Sequence, residues 1–200
     1  MKVPILRAVL LGTYSAVSIR RPGITSFDAQ TGSFTVRGAG SDFNVISQGM
    51  TAQYAYLPVD DDRMITARVL SRQNAGTTDQ VGLIMTKSLS PFDQMAGVVL
   101  TSTGEGDVGT RQFVRRLRVA TRLITTDGVG GVGVPIWLRL RRVAGAFIAE
   151  TSDDGQTWTV IAAPEAIADF GDAPYYAGLA VVSRNPLVLN TTVFDSVSIS

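Results

Sequence analysis

Residues able to do chemistry are few in this chain. It has no histidine and no cysteine, which removes the commonest general base and metal ligand together with the thiolate nucleophile. Its glutamates are Glu105, Glu150 and Glu165, and each is read at or beside a predicted turn. Glycoside hydrolysis needs two carboxylates facing each other across a groove, and no strand-like run offers two on one face. Catalytic residues are therefore expected to be none. What remains is contact chemistry. Tyr54 and Tyr56 share one face of a strand by their spacing of two, and Trp137, Arg139 and Arg141 share a face of another, opposite Ile136, Leu138 and Leu140. Aromatic rings beside guanidinium donors suit sugars, whose C–H faces are ringed by hydroxyls. The same aromatics would equally serve to close the inner face of a β-sandwich.

Charged runs give further candidates. Arg111, Arg115, Arg116, Arg118 and Arg122 make the densest basic stretch. It reads either as a contact strip for an anion or acidic polysaccharide, or as a charged strand edge guarding against aggregation. Asp60, Asp61 and Asp62 are consecutive; carboxylates suit calcium, but three in a row cannot all aim at one ion. Eighteen Lys and Arg against 17 Asp and Glu leave a net charge of +1, too little for a global basic field, so no nucleic-acid partner is expected.

The stretch Thr151-Ser-Asp-Asp-Gly-Gln-Thr-Trp158 lies between two β-prone runs, Ala146–Glu150 and Thr159–Ile161. That pattern predicts a hairpin with its tip at Asp154-Gly155, where glycine supplies a positive φ and the carboxylates cap backbone N–H groups.

The elements that must position these residues are strands. Period-two alternation recurs in Ile65, Ala67 and Val69, in Val81, Leu83 and Met85, in Phe113, Leu117 and Val119, in Ile136, Leu138 and Leu140, and in Val193, Val197 and Ile199. Turn clusters such as Asp60–Asp62 and Asp127–Gly131 separate them. Short strands broken by turn residues predict an all-β sandwich or barrel. The best helix candidate, Ala163–Ala168, is long enough for only a turn or two. With 200 residues, 45% of them hydrophobic, and no linker-like shift in composition, residues 1–200 are read as a single domain. The first residues, Lys2 with a short apolar run after it, resemble a secretory leader. Pro4 and Arg7 interrupt that run, so residues 3–11 are read as a first strand and the start as unprocessed. No apolar run reaches the roughly 20 residues that span a bilayer.

From Trp137 through Arg139, Arg142, Gly145, Phe147, Ala149, Ser152, Asp154 and Gly155 to Trp158, the chain resembles the WxRLxRxGxxFxAxxSxDGxxW signature of concanavalin A-like lectin/glucanase domains, in the DUF1349 and laminin-G-like branch. Tyr176–Asn185 and Thr192–Val197 resemble its closing pattern, Gly32–Asp42 and Val81–Leu89 its earlier strands, so the likeness runs from about Gly23 to Ile199. The resemblance implies an all-β jelly-roll sandwich of two antiparallel sheets, one of them concave. It implies that glucanase relatives carry paired acids on a strand of the concave sheet; no such ExDxxE-like pattern is found here. It makes calcium possible at a sandwich edge, with Asp42, Asp60, Asp62 and Asp195 as candidate ligands. It also makes the Thr151–Trp158 stretch look like an Asp-box, in which Asp153 and Thr157 bond the turn backbone and Trp158 packs beneath it, with Asp154 and Gly155 at its tip.

Two readings follow from the sequence. One is a non-catalytic lectin-like recognition module, extracellular or on a virion surface, that attaches to a glycan or cell-surface polysaccharide through Tyr54, Tyr56, Trp137, Arg139 and Arg141. The other is a structural or decoration subunit of a bacteriophage head or tail, a homo-oligomer or a partner in virion assembly, with no glycan binding.

Overall fold

In the computed structural model of the chain, residues 14–43, 49–73, 78–104 and 108–200 are described. The expected strand over residues 3–11 and Glu105 lie outside them. All regular structure among the described residues is β, in strands numbered along the chain. One sheet has the order β1 (Ser15–Ile19), β4 (Ala52–Val59), β14 (Tyr175–Val182), β6 (Gln80–Thr86), β7 (Met95–Ser102), β8 (Gly109–Arg116) and β9 (Ile124–Asp127). The other has the order β12 (Thr159–Val160), β11 (Ala146–Ser152), β10 (Ile136–Val143), β5 (Met64–Gln73), β15 (Asn190–Ile199), β3 (Ser33–Gly38) and β2 (Gly23–Asp28), with β13 (Glu165–Ala166) paired to β11. Every pairing is antiparallel. The architecture is an all-β jelly-roll sandwich.

The two sheets differ in how their faces are covered. In β10, Ile136, Leu138 and Leu140 are buried while Trp137, Arg139 and Arg141 between them are half-buried. Such alternation belongs to a strand with one face on a core and one towards water. β6 is buried at every position, and β7 and β14 at all but one. The reason is a second apolar layer. Between the sheets, Phe34, Leu83, Val98, Phe113, Leu138, Phe147 and Phe194 share one core. On the outer face of the seven-stranded sheet, Tyr54, Ile84, Val99, Val114 and Val182 are covered by the loop residues Phe43, Met50 and Leu123.

A single side chain gathers those covering loops. Arg116, at the end of β8, points out of the sheet and is buried, with its Nε donating to Thr121 O (3.1 Å), Nη1 to Pro91 O (2.9 Å) and Asp93 O (3.1 Å), and Nη2 to Phe43 O (3.1 Å). A planar guanidinium with five donors can satisfy carbonyls from three segments at once; a lysine ammonium cannot match that fork.

The expected helix over residues 163–168 is absent. Those residues contain β13, whose Ala166 and Glu165 pair with Ala146 and Phe147; Pro164 and the waiting edge of β11 favour extended chain over a helical turn. The expected common face of Val193, Val197 and Ile199 is also corrected. Register shifts after Val193 and after Asp195, with Ser196 at φ 52°, put Phe194 into the core and leave Val193 outside it. A bulge reverses the alternation that sequence spacing assumes. Val119 follows the end of β8 and is exposed, so it does not share the buried face of Phe113.

Candidate functional site

The outer face of the eight-stranded sheet collects both tryptophans of the chain. Register places Trp137 between Arg68 on β5 and Ser152 on β11, and Arg139 between Thr66 and Glu150. Glu150 is 3% exposed and lies within β11, not in a turn as its sequence context suggested. Its Oε2 accepts from Arg139 Nε (2.7 Å) and Arg141 Nε (2.8 Å), and its Oε1 accepts from Arg141 Nη2 (3.0 Å). Burial alone would raise the Glu150 pKa, but hydrogen bonds and charge from Arg139 and Arg141 prevail and hold it below the ordinary carboxylate range. A carboxylate held ionised between two guanidiniums is a positioning group and a poor proton donor.

Glu150 thereby fixes Arg139, whose guanidinium carbon lies 3.9 Å from the centre of the Trp158 ring, a cation–π contact. One row away, Asp195 does the same for Arg68, accepting from Nε at 2.8 Å and from Nη2 at 2.5 Å. Arg68 in turn lies 5.6 Å from the centre of the Trp137 ring. The face therefore carries two half-buried indoles, each beside an arginine clamped by a carboxylate.

The turn after β11 completes this platform and corrects the sequence reading of it. Asp154, not Asp153, bonds the turn: its Oδ1 accepts from Gln156 N and Thr157 N, both at 2.7 Å, and from Ser152 Oγ at 2.8 Å, while its Oδ2 accepts from Thr157 Oγ1 at 3.1 Å. Asp153 is drawn away to the Arg111 guanidinium, 2.5 Å from Nη2. The N–H groups of Thr157 and Gln156, with the Ser152 hydroxyl, hold the Asp154 carboxyl well below its usual range. The indole under the turn is Trp137, not Trp158. Gly155 has φ 74°, and a Cβ there would meet Trp137 Cε2 at 2.7 Å. Trp158 is half-exposed and lies against Arg139. A repeat of two could point Trp137 outward, but only the cross-strand pairing and the turn's return bring Gly155, Trp158 and Glu150 to it.

Tyr54 and Tyr56 lie on the other side of the sandwich, on the outer face of the seven-stranded sheet. The five residues singled out in the sequence thus divide between two opposite faces and cannot touch one ligand. Tyr54 is fully buried, its hydroxyl donates to Ile84 O (3.0 Å) and Tyr176 O (3.1 Å), and burial pushes its pKa well up. Its ring stacks on Tyr56 at 5.3 Å, and Tyr56 meets Tyr176 edge-on at 5.0 Å. Tyr56 and Tyr176 are both half-buried on that face.

The basic stretch is not one strip. Arg116 points outward from its sheet beneath the loops, while Arg111 and Arg115 reach across to the other sheet, to Thr151 and Asp153 and to Glu165 respectively. Arg118 and Arg122 are exposed on the following loop. Both sequence readings of the stretch, a contact strip or a guarded edge, give way to a structural one for the buried arginines.

Each of the four candidate calcium ligands has a partner within the chain. Asp42 pairs with Arg184 (3.1 Å), Asp60 with Arg63 (2.8 Å) and Asp195 with Arg68, and Asp62 accepts from Ala144 N (2.6 Å) and Gly145 N (3.4 Å) at the β10–β11 turn. Among the described residues no group of three or more acidic side chains is placed to hold a metal ion.

The two antiparallel sheets have the fold of a concanavalin A-like jelly-roll sandwich. No family model matches the chain, and no curated protein matches it. Solved structures do. A functionally unknown protein from Saccharomyces cerevisiae aligns with TM-score 0.69 at 16% identity, over 95% of this chain and 97% of that one. A seed lectin of Lotus tetragonolobus aligns with TM-score 0.59 at 12% identity, over 94% and 93%. The carbohydrate-binding module CBM66 of Bacillus subtilis aligns with TM-score 0.56 at 11% identity, over 92% and 94%. Glycoside hydrolases are also among the matches. At these identities the likeness establishes the fold.

Proposed function

We propose that the chain is a non-catalytic, lectin-like recognition module that attaches to a glycan or cell-surface polysaccharide, outside the cell or on a particle surface. The observation that carries this reading is the platform on the eight-stranded sheet, where Trp137 and Trp158 sit beside Arg68 and Arg139, and Asp195 and Glu150 hold those arginines in place. Indoles offer flat apolar area to the C–H face of a sugar ring, and oriented guanidiniums offer donors to its hydroxyls. Clamping by carboxylates lowers the entropy lost when the arginines engage a ligand. The lectin and the carbohydrate-binding module that share the fold support the same reading. Membership of the DUF1349 and laminin-G-like branch is part of the proposal and rests on the run from Trp137 to Trp158.

The placement of the carboxylates supports binding without cleavage. The strands of the seven-stranded sheet contain a single acidic residue, Asp127 at the end of edge strand β9, where it accepts from Gln112 Nε2 at 2.7 Å. Glu150 is neutralised by two arginines, and Glu165 faces Arg115 at 3.4 Å. An acid engaged by arginine in this way is a poor candidate for either half of the carboxylate pair that hydrolysis requires. Contact with an open sheet gives weak affinity per site, so attachment gains from several copies held together.

The experiment is a pull-down against a polysaccharide panel with reducing ends measured in the same tubes. Retention of the wild type, loss of retention in Trp158→Ala and no new reducing ends are expected. New reducing ends that disappear on changing one Asp or Glu would make the chain an enzyme. A blank panel from a stably oligomeric protein would leave the structural-subunit reading in its place.

A further inference from the structure

The carboxylates of the tryptophan platform are all engaged, while one of its arginines is not fully so. Asp195 accepts from Arg68 Nε (2.8 Å) and Nη2 (2.5 Å). Glu150, almost wholly buried, accepts from Arg139 and Arg141. Asp154 at the neighbouring turn gives its oxygens to Gln156 N, Thr157 N and the hydroxyls of Ser152 and Thr157. Arg68 and Arg141 are each held along one side, through Nε and Nη2 together. Arg139 is held differently. Glu150 takes only its Nε (2.7 Å), and the Trp158 ring lies against the guanidinium, 3.9 Å from its carbon to the ring centre. Neither Nη1 nor Nη2 of Arg139 donates to an acceptor among the described residues, and neither is closed off from solvent. One edge and one face of this guanidinium are fixed, and its forked end is open.

An open fork of this kind asks for a particular acceptor. Two parallel N–H groups match the two oxygens of a carboxylate, and the charge makes each hydrogen bond stronger than one to a hydroxyl. A sugar hydroxyl offers a single oxygen and no charge. The local balance points the same way, since Glu150 is shared by Arg139 and Arg141 and so leaves one of those two positive charges uncompensated. Position also fits. Arg139 and Trp137 are two residues apart on one face of β10, about 7 Å along the strand, and Trp158 lies beside Arg139. A sugar ring resting on an indole here has a ring substituent within reach of the fork.

We propose that the platform selects acidic polysaccharides of the uronate kind, with the sugar carboxylate seated on Nη1 and Nη2 of Arg139 and the ring against the neighbouring indoles. This selectivity rests on the glycan-binding reading and adds the chemical class of the sugar to it. The test is retention of the full chain on four polymers: polygalacturonate, its methyl ester, dextran and dextran sulfate. The methyl ester keeps the backbone of polygalacturonate and removes only the charge. The wild type is expected to prefer polygalacturonate over the other three. Arg139→Gln should weaken that retention roughly tenfold or more, and Arg139→Lys, which keeps the charge without the fork, should not restore it. Arg37→Ser removes an exposed arginine whose neighbour Val36 is in the core, so that it points from the same outer face; it should leave retention within about twofold of wild type. If the Arg139 variants do not fold, the methyl ester arm on the wild type decides. Equal retention on dextran or on the methyl ester would overturn the uronate proposal and leave the glycan reading standing. Dextran sulfate retained as well as polygalacturonate, or an Arg37→Ser loss as large as that of Arg139→Gln, would reduce the preference to unselective charge attraction and also overturn it. No retention on any polysaccharide would remove both readings.

Discussion

At Gly155 two constraints coincide, and each explains why a turn in front of a tryptophan needs that residue. Its φ of 74° is costly for a side chain, and any Cβ would strike the Trp137 ring. Gly155→Val is therefore expected to cost about 1 kcal/mol from the backbone alone, with displacement of the indole adding to it. Urea unfolding followed by tryptophan emission reads both, and an unchanged midpoint with unchanged emission would contradict the turn described above. Asp154 next to it gives a pH signature. Its folded pKa lies below the ordinary value of 3.8, so its contribution to stability is complete above that value and is lost as pH falls towards the folded pKa. The stability advantage of wild type over Asp154→Asn should be constant above about pH 5 and shrink below about pH 4; a gap that does not change with pH would assign the capping elsewhere. The sequence made this turn legible as a hairpin with Gly155 at its tip. It could not show which aspartate caps it, because Arg111, which draws Asp153 away, arrives from the other sheet.

Strands whose alternation is simple were readable element by element. β10 shows Trp137, Arg139 and Arg141 on one side and leucines on the other, as spacing alone implies. β15 defeats the same reasoning because a bulge at Ser196 changes the parity halfway along. The layer over the seven-stranded sheet was also hidden, since runs such as Val81–Met85 reveal burial on both faces without naming what covers them. Arg116 is the element that resolves it, by collecting carbonyls of Phe43, Pro91, Asp93 and Thr121. Arg116→Lys keeps the charge but leaves carbonyls unsatisfied, so it should destabilise the fold by about 3 kcal/mol. It should also speed hydrogen exchange at Met50 N and Ala120 N, which donate to Pro91 O and Phe92 O. Stability and exchange both equal to wild type would mean the loops are held by apolar contact alone.

For the molecule as a whole, the sandwich places two sets of half-buried aromatics on opposite outer faces, and the face bearing Trp137 and Trp158 is the one proposed to meet sugar. The fold could be inferred from strand period and turn residues, because both are local. The division of the candidate residues between two faces could not, because sheet membership is decided by pairing between distant strands: β4 pairs with β14, and β10 with β5. The chain contains two tryptophans, both on this face, while Tyr56 and Tyr176 mark the other, so intrinsic fluorescence separates the alternatives without a label. The decisive measurement is a titration of the protein with a polysaccharide retained in the pull-down, followed by tryptophan emission in wild type and Tyr56→Ala. A saturable change in emission that Tyr56→Ala preserves is expected. Binding that leaves tryptophan emission untouched and is abolished by Tyr56→Ala would contradict it and move the site to the seven-stranded sheet.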